Sequence, residues 1–318
     1  MPRSFPRAVS YSAHLLALSA LATLGCGGSS GHGQIPTEST HEWSQSVTLS
    51  ASMKLHALHL GWVRVKQAHM EHEGFDSLRT VSILLDSDWG DWMPILAYAI
   101  EHPDGVVLVD TGASAKINEP DYYGCDSNNT FFYQKNLRFI VPEAQHDLSA
   151  QLKGLGIAPE DVRTIVITHF HADHVGGILG LPNARVLTGA GNWPAHAGLH
   201  ACELGEGFAP TPIDFVKEPV AGFATSARLT DDGAIRALDL AGHTPGHVGV
   251  WVQGAGKQWL MVGDATFSDE QTRRGGVAGV TELLPKAKQV QRTLNAQLEQ
   301  GAVLLPSHDP KVAQKMGR

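Results

Sequence analysis

The chain has 318 residues, enough for one large domain or two small ones. Its hydrophobic share of 42% and charged share of 18% are those of an ordinary globular protein. A net charge of −8, spread along the chain without a basic stripe, argues against nucleic acid or an anionic membrane surface as partner.

The first residues read as a targeting segment. Arg3 and Arg7 precede an apolar stretch from Ala8 to Leu24, then Gly25-Cys26 and a Gly/Ser run. This resembles a bacterial lipoprotein signal, with residues 1–25 removed and Cys26 the lipidation candidate. Plain secretion or an uncleaved anchor are the alternatives, and the stretch is marginal for a bilayer, which needs ~20 apolar residues. Removing residues 1–25 takes two arginines and no acid, so the charge moves from −8 to −10. The expected location is the cell envelope, by lipid anchor or as an exported protein. Residues 26–52 are read as a flexible tether and 53–318 as the folded domain. Cys125 and Cys202 then remain, either paired in an oxidising compartment or buried as free thiols.

From Met53 to Val65 apolar and polar residues alternate, the period of a strand with one buried face. Val81–Leu85 and Ile95–Ile100 read as further strands, and Gly105–Asp110 as a strand inside a sheet. Ala113–Glu143 shows no period but carries Tyr122, Tyr123, Phe131, Phe132, Tyr133 and Phe139. It is either a binding loop or lid, or a surface excursion that hides its aromatics against its own domain. Leu148, Leu152 and Leu155 predict a helix, Arg163–Thr168 a buried strand, and a helix follows through Trp193 and His196. Ala234–Leu240, His247–Val252, Gln258–Val262 and Ala302–Leu305 read as strands, and Leu284–Leu298 as a helix with Pro285 in its first turn. Strands early and alternation later predict one α/β domain with mixed sheets.

The strand Arg163–Thr168 runs into H-F-H-A-D-H-V-G-G, which sets His169, His171, Asp173 and His174 within six positions. Three imidazoles and a carboxylate at a strand's carboxyl end suit a borderline metal such as zinc. A chance cluster in a chain with 17 histidines is the bland alternative, and it leaves the preceding strand and the following glycines unexplained. His243, Asp264 and His308 repeat one pattern: an apolar strand, a turn, then a ligand-type residue.

The order Asp110-Thr-Gly, H-F-H-A-D-H, Gly242-His243, Gly263-Asp264 and Ser307-His308 resembles the metallo-β-lactamase superfamily, from Met53 to His308. The resemblance implies a four-layer αββα sandwich with a dinuclear site at one edge. It implies one metal on His169, His171 and His243, the other on Asp173, His174 and His308, and Asp264 bridging. Asp110 and His247 would stand behind the ligands. Two divalent ions, zinc foremost, would be the cofactors, Asp173 the proton relay, and a small molecule the substrate. The sequence does not set an oligomeric state.

True β-lactamases of this superfamily lack the bridging aspartate and often use a cysteine ligand, and here no cysteine stands near a ligand position. The opening strand, the P-I-L-A-Y-A-I-E-H-P-D-G-V-V-L-V-D-T-G block and S-H-D-P look most like the N-acyl-homoserine lactonases, which implies quorum quenching. Those enzymes place a tyrosine three residues after the bridging aspartate, where this chain has Phe267. A phenyl ring cannot donate that hydrogen bond. A tyrosine from Ala113–Glu143 would then substitute, or the substrate is another ester, lactone or organophosphate triester. Phe267, Tyr122, Tyr123, Phe131, Phe132 and Tyr133 are the candidate pocket residues. A lipoprotein that binds metal only for structure is the non-enzymatic alternative.

Overall fold

The computed structural model describes residues 45–71, 78–141, 147–194 and 197–317. The segment expected to be a signal, Cys26, the expected tether up to residue 44, and His196 lie outside these residues.

The first sheet holds β1 (Gln45–Thr48), β2 (Lys54–Val65), β3 (Met93–Glu101), β4 (Val106–Val109) and β5 (Leu137–Ile140). It continues with β6 (Val162–Val166), β7 (Arg185–Thr188) and β8 (Thr211–Pro212). Its order is β1-β2-β3-β4-β6-β7-β8, with β5 pairing on β2. The second sheet holds β9 (Ser226–Arg228), β10 (Ile235–Asp239), β11 (Val248–Gly254), β12 (Lys257–Gly263) and β13 (Val303–Pro306), in the order β13-β12-β11-β10-β9. The helices are α1 (Gln67–Met70), α2 (Arg79–Leu85), α3 (Ser127–Asn136) and α4 (Leu148–Gly154). They continue with α5 (Ala172–Val175), α6 (Asp269–Arg274), α7 (Leu284–Glu299) and α8 (Val312–Met316).

Alternation along the strands builds three apolar layers. In β12, Trp259 and Met261 point between the sheets, while Leu260 and Val262 point outward against Val290 and Leu294 of α7. In β2, Leu55 and Ala57 face the second sheet, while Leu58 and Leu60 face Leu148 and Leu152 of α4. A register shift between His59 and Trp62, at Gly61, then moves the α4-side positions to Val63 and Val65. Helix, sheet, sheet, helix is the four-layer arrangement expected from the sequence.

Four local expectations change. Val81–Leu85 lies in the helix α2, where only Ile83 is buried, so its apolar run never faces a sheet on two sides. The aperiodic stretch after Ala113 holds α3, started by Asp126, whose side chain accepts the N–H groups of Asn128 and Asn129, and then β5. The helix expected through Trp193 is instead β7 followed by turns around Gly189–Pro194. Gln45–Thr48, read as tether, pairs with β2, and Leu49 is buried, so the folded part begins earlier than residue 53.

Candidate metal centre

Five of the functional side chains stand just past a strand's carboxyl end: Asp110 after β4, His169 and His171 after β6, Asp264 after β12 and His308 after β13. His243 sits in the turn between β10 and β11, and Asp173 and His174 lie in α5. Backbone bonds join the two sheets here. Val248 N–H donates to Thr168 O at 3.0 Å and Leu96 N–H to Ser307 O at 2.9 Å. Tyr98 Oη adds a bond to Pro306 O at 2.7 Å.

Asp110 organises one side of the centre. Its Oδ1 accepts the Thr168 N–H at 2.8 Å, and its Oδ2 accepts the Thr168 hydroxyl at 2.9 Å and His174 Nδ1 at 2.8 Å. Asp110 has φ 59, a left-handed backbone that aspartate tolerates at some cost, about 1–3 kcal/mol. The following Thr111 sends both its N–H and its hydroxyl to His174 O, and Gly112 O accepts the Gly176 N–H. A Cβ on Gly176 would meet Ser114 N at 2.0 Å, so only glycine lets α5 lie this close.

Two groups of donor atoms result, His169, His171, His243 and Asp264 in one, Asp173, His174 and His308 in the other. His169 Nε2 lies 2.8 Å and His243 Nε2 3.3 Å from His171 Nδ1. In the second group, His308 Nε2 lies 3.5 Å and His174 Nε2 3.8 Å from the Asp173 carboxylate. The Asp264 carboxylate reaches both groups. Its Oδ2 is 3.9 Å from His169 Nε2 and from His243 Nε2, and its Oδ1 is 3.2 Å from His308 Nε2 and 3.5 Å from His174 Nε2. His308 Nδ1 donates to Pro94 O at 2.8 Å and His174 Nδ1 to Asp110, which turns both Nε2 lone pairs toward the centre.

The buried carboxylates and imidazoles of the centre act strongly on one another. Burial opposes charge on His174, but Asp110 and Asp264 hold its pKa well above the usual imidazole range. His308 is likewise raised against its burial, mainly by Asp264. Burial works against the Asp264 charge too, yet His308 and His174 keep its carboxyl well below the usual carboxylate range. His169 goes the other way, pushed well down by burial and then by the other histidines. The donor set fits divalent cations. Imidazole and carboxylate suit zinc and its neighbours, and the buried His174 Nε2 and Asp264 Oδ1 make no hydrogen bond among the described residues.

The seven expected ligand residues thus come together. His247 stands behind them, its Nε2 accepting the Asp264 N–H at 3.3 Å. Gly263 leaves room for it, since a Cβ there would lie 2.9 Å from the His247 ring. Phe267 is buried with its ring centroid 5.9 Å from that of His308, beside the second group. Tyr133 accepts the Ala172 N–H at 3.1 Å and donates to Gly198 O at 2.9 Å, so it braces α5 against the segment from residue 197. Tyr123 stacks on Tyr133 at 4.6 Å and Tyr122 on His200 at 4.4 Å, both buried. Phe132 is half-buried, 6.1 Å from His69. Phe131 does not join them: it is 58% exposed, with the Lys135 ammonium over its ring. Its place on the outer face of α3, two residues from Tyr133, turns it to solvent.

Cys125 and Cys202 form a disulfide, tying the start of α3 to the segment beside His200. Closing a loop across 77 positions stabilises by about 4.5 kcal/mol on the chain-entropy estimate.

Three further residues went unread in the sequence. Buried Asn192 donates from Nδ2 to Thr168 O, Thr188 Oγ1 and Gly246 O, and its Oδ1 accepts the Thr244 hydroxyl at 2.6 Å. It pins the strand end before His169 to the turn that carries His243. Glu282 accepts the Ala197 N–H at 3.2 Å, and its own N–H donates to His243 O. Burial pushes its carboxyl up to about 7. His69 lies buried in α1, and charges on His243, Asp264 and His308 act on it. A lone Asn, Glu or His has no spacing signature, so only spatial neighbours could have singled these out.

The Metallo-beta-lactamase superfamily model matches residues 90–308. Among curated proteins, the probable metallo-hydrolase Rv2300c of Mycobacterium tuberculosis is 32% identical over 53% of this chain and 55% of its own length. The chain thus spans little more than half of that relative. N-acyl homoserine lactonase AttM of Azorhizobium caulinodans is 25% identical over 69% of this chain and 82% of its own. The structure of a B. thuringiensis AiiA mutant with N-decanoyl-L-homoserine at its active site superposes with a TM-score of 0.64 at 16% identity, covering 86% of this chain and 97% of that one. AidC, a dizinc quorum-quenching lactonase, superposes at 0.56 and 16% identity, over 86% and 93%. The matched family model, spanning most of the chain and including every donor residue named above, shows that this protein belongs to the metallo-beta-lactamase superfamily.

Proposed function

We propose that this chain is a dinuclear metal hydrolase that opens the lactone ring of N-acyl-homoserine lactones, exported to the cell envelope and anchored through Cys26. One observation carries the reading: the Asp264 carboxylate lies between two donor groups, one oxygen toward each. A closed structural zinc site takes four ligands around one ion. Here seven donors, with Asp264 shared, form two adjacent groups of four, the arrangement of a pair of ions rather than of one closed structural ion. The lactonase AttM and the dizinc lactonase AidC, similar to this chain, support the substrate class. The Cys125–Cys202 disulfide supports an oxidising compartment.

His169, His171 and His243 would hold one ion, Asp173, His174 and His308 the other, with Asp264 shared. When bound, two divalent ions, zinc in this reading, supply a polarised carbonyl and an acidified water. Asp173, held beside His174 and His308, takes the proton released as the water oxygen attacks the carbonyl carbon. The carbon–oxygen bond of the ring then breaks, and the same carboxyl returns the proton to the departing oxygen. Phe267 provides an apolar wall beside His308.

A second reading rests on that same residue. Phe267 offers no donor, which favours a substrate with a better leaving group, such as an aryl ester or an organophosphate triester. The deciding experiment gives zinc-loaded protein short- and long-chain acyl-homoserine lactones, an aryl ester and an aryl phosphotriester. A lactone kcat/KM of about 10⁴ M⁻¹s⁻¹ or more supports the lactonase. Turnover of the ester or phosphotriester alone replaces it with the second reading.

A further inference from the structure

The bond broken in lactone or ester hydrolysis leaves a negatively charged oxygen, and the side chain on the His308 side, Phe267, has no proton to offer it. One buried polar side chain near the centre is without a role in holding it together. His69 is 8% exposed, and its Nδ1 is enclosed with no hydrogen-bond partner among the described residues. An imidazole nitrogen is rarely buried unpaired unless a ligand or water completes it.

The backbone fixes where this ring sits. His69 O accepts the Gly279 N–H at 2.9 Å, and a Cβ on Gly279 would lie 1.8 Å from Ala68 O, so the two segments touch. Gln271 donates from Nε2 to Met70 O at 2.9 Å while its Oε1 accepts the Phe267 N–H at 2.8 Å. One side chain therefore locks α1 to the loop that carries Phe267. On its other side, His69 packs 6.1 Å from Phe132. The charged groups that act on it are His243 of the first donor group, Asp264 between the groups, and His308 of the second. The Gln271 bridge holds the end of α1 against the loop of Phe267, whose ring centroid is 5.9 Å from that of His308.

We propose that His69 is a substrate-contacting residue that donates a hydrogen bond to the oxygen that gains charge during hydrolysis. Burial, then positive charge on His243, pushes its pKa down to about 3, so the ring is neutral at working pH and carries one N–H. Divalent cations nearby would act in the same direction. A neutral ring donates without adding positive charge to the metal sites.

This inference rests on the hydrolase reading, and its test separates the two. His69→Ala and His69→Gln are compared with the unaltered zinc-loaded chain on whichever substrate of the lactone, ester and phosphotriester panel turns over best. Removing one such donor is expected to lower kcat/KM about 100-fold, mostly in kcat, with zinc content unchanged. His69→Gln, which keeps an N–H, recovers part of the loss. Phe267→Tyr added to His69→Ala brings a hydroxyl beside His308 and recovers part of it too. Independently of turnover, the His69 ring nitrogen resonances of the zinc-loaded protein shift when the acid product of that best substrate is added. Failure of the lactone while another substrate turns over sinks the substrate class and leaves His69 to be scored on that substrate. Full activity in His69→Ala at unchanged zinc content, or ring resonances that ignore the product, overturns the role of His69.

Discussion

The two donor groups are built differently. Asp173, His174 and His308 are all buried, and the latter two are oriented by Asp110 and by Pro94 O, groups that belong to strands β3 and β4 or directly follow them. In the other group His171 is half-buried, and its Nε2 leans on Ala197 O at 3.1 Å. The segment it leans on is held by Tyr133, by Asn129 through Leu199 O, and by the Cys125–Cys202 bond. A Cβ on Gly198 would come within 2.8 Å of His171 Nε2. One group is thus set by the sheets, the other partly by a clamped loop. Strand ends give fixed ligand geometry, whereas a loop brace can adjust without disturbing the core.

Asp264 is the point where the two groups meet, and Asp264→Ala is the most damaging change. Turnover is expected to fall at least 10³-fold, with metal content reduced at both groups, measured by elemental analysis and initial rates. Asp110→Asn comes next, because it strikes one group directly and reaches the other only through Thr168, whose hydroxyl lies 3.1 Å from His169 Nδ1. Loss of its anchor on His174 Nδ1 should weaken one metal by about 10–100-fold and leave the other in place, as two separated steps in a chelator titration. A single weakened step covering both metals would contradict the division drawn here.

Loosening the clamp should cost less. Tyr133→Phe removes the hydroxyl that joins Ala172 N–H to Gly198 O, and roughly a 10-fold fall in kcat/KM is expected, within the range for lost supporting contacts. Reducing the disulfide should produce a fall of the same kind. Equal damage from Tyr133→Phe and Asp110→Asn would erase the distinction between sheet and loop.

A separate effect, on stability rather than turnover, appears in acid. Burial lowers the pKa of His59 in β2 and of His200 in the clamp to about 4, from 6.5. The unfolded chain therefore takes up these protons first, so the stabilisation is present above pH 6.5 and is lost as pH falls through about 4. At about 1.4 kcal/mol per unit, each ring contributes on the order of 3 kcal/mol. The melting temperature of metal-free protein should fall across that window, and a Tm flat from pH 6.5 to 4 would refute the burial argument.

What the sequence made legible was what depends on period and punctuation. Continuous apolar runs ending in a ligand-type residue located β4, β6, β12 and β13 and the donors beyond them. Short apolar runs were ambiguous: Val81–Leu85 is β-branched and aliphatic enough for a strand, yet forms α2 with Val81 and Leu85 exposed. Helix α3, S-N-N-T-F-F-Y-Q-K-N, has no apolar stripe, because it buries Tyr133 and Asn136 while leaving Phe131 in solvent. Asn192 and His69 lie against segments far away in sequence, and such neighbours leave no local pattern. The pairing of Cys125 with Cys202 stayed open for the same reason.

The most direct test of the account is zinc titration of the metal-free protein, with content and hydrolysis of the substrate panel read at each step, for the unaltered chain and for Asp264→Ala. The account predicts two zinc ions per chain, one for each donor group, with hydrolysis rising as the second is taken up, and neither retained nor active in Asp264→Ala. A single tightly held ion whose removal unfolds the protein, with no hydrolysis at any loading, would contradict it.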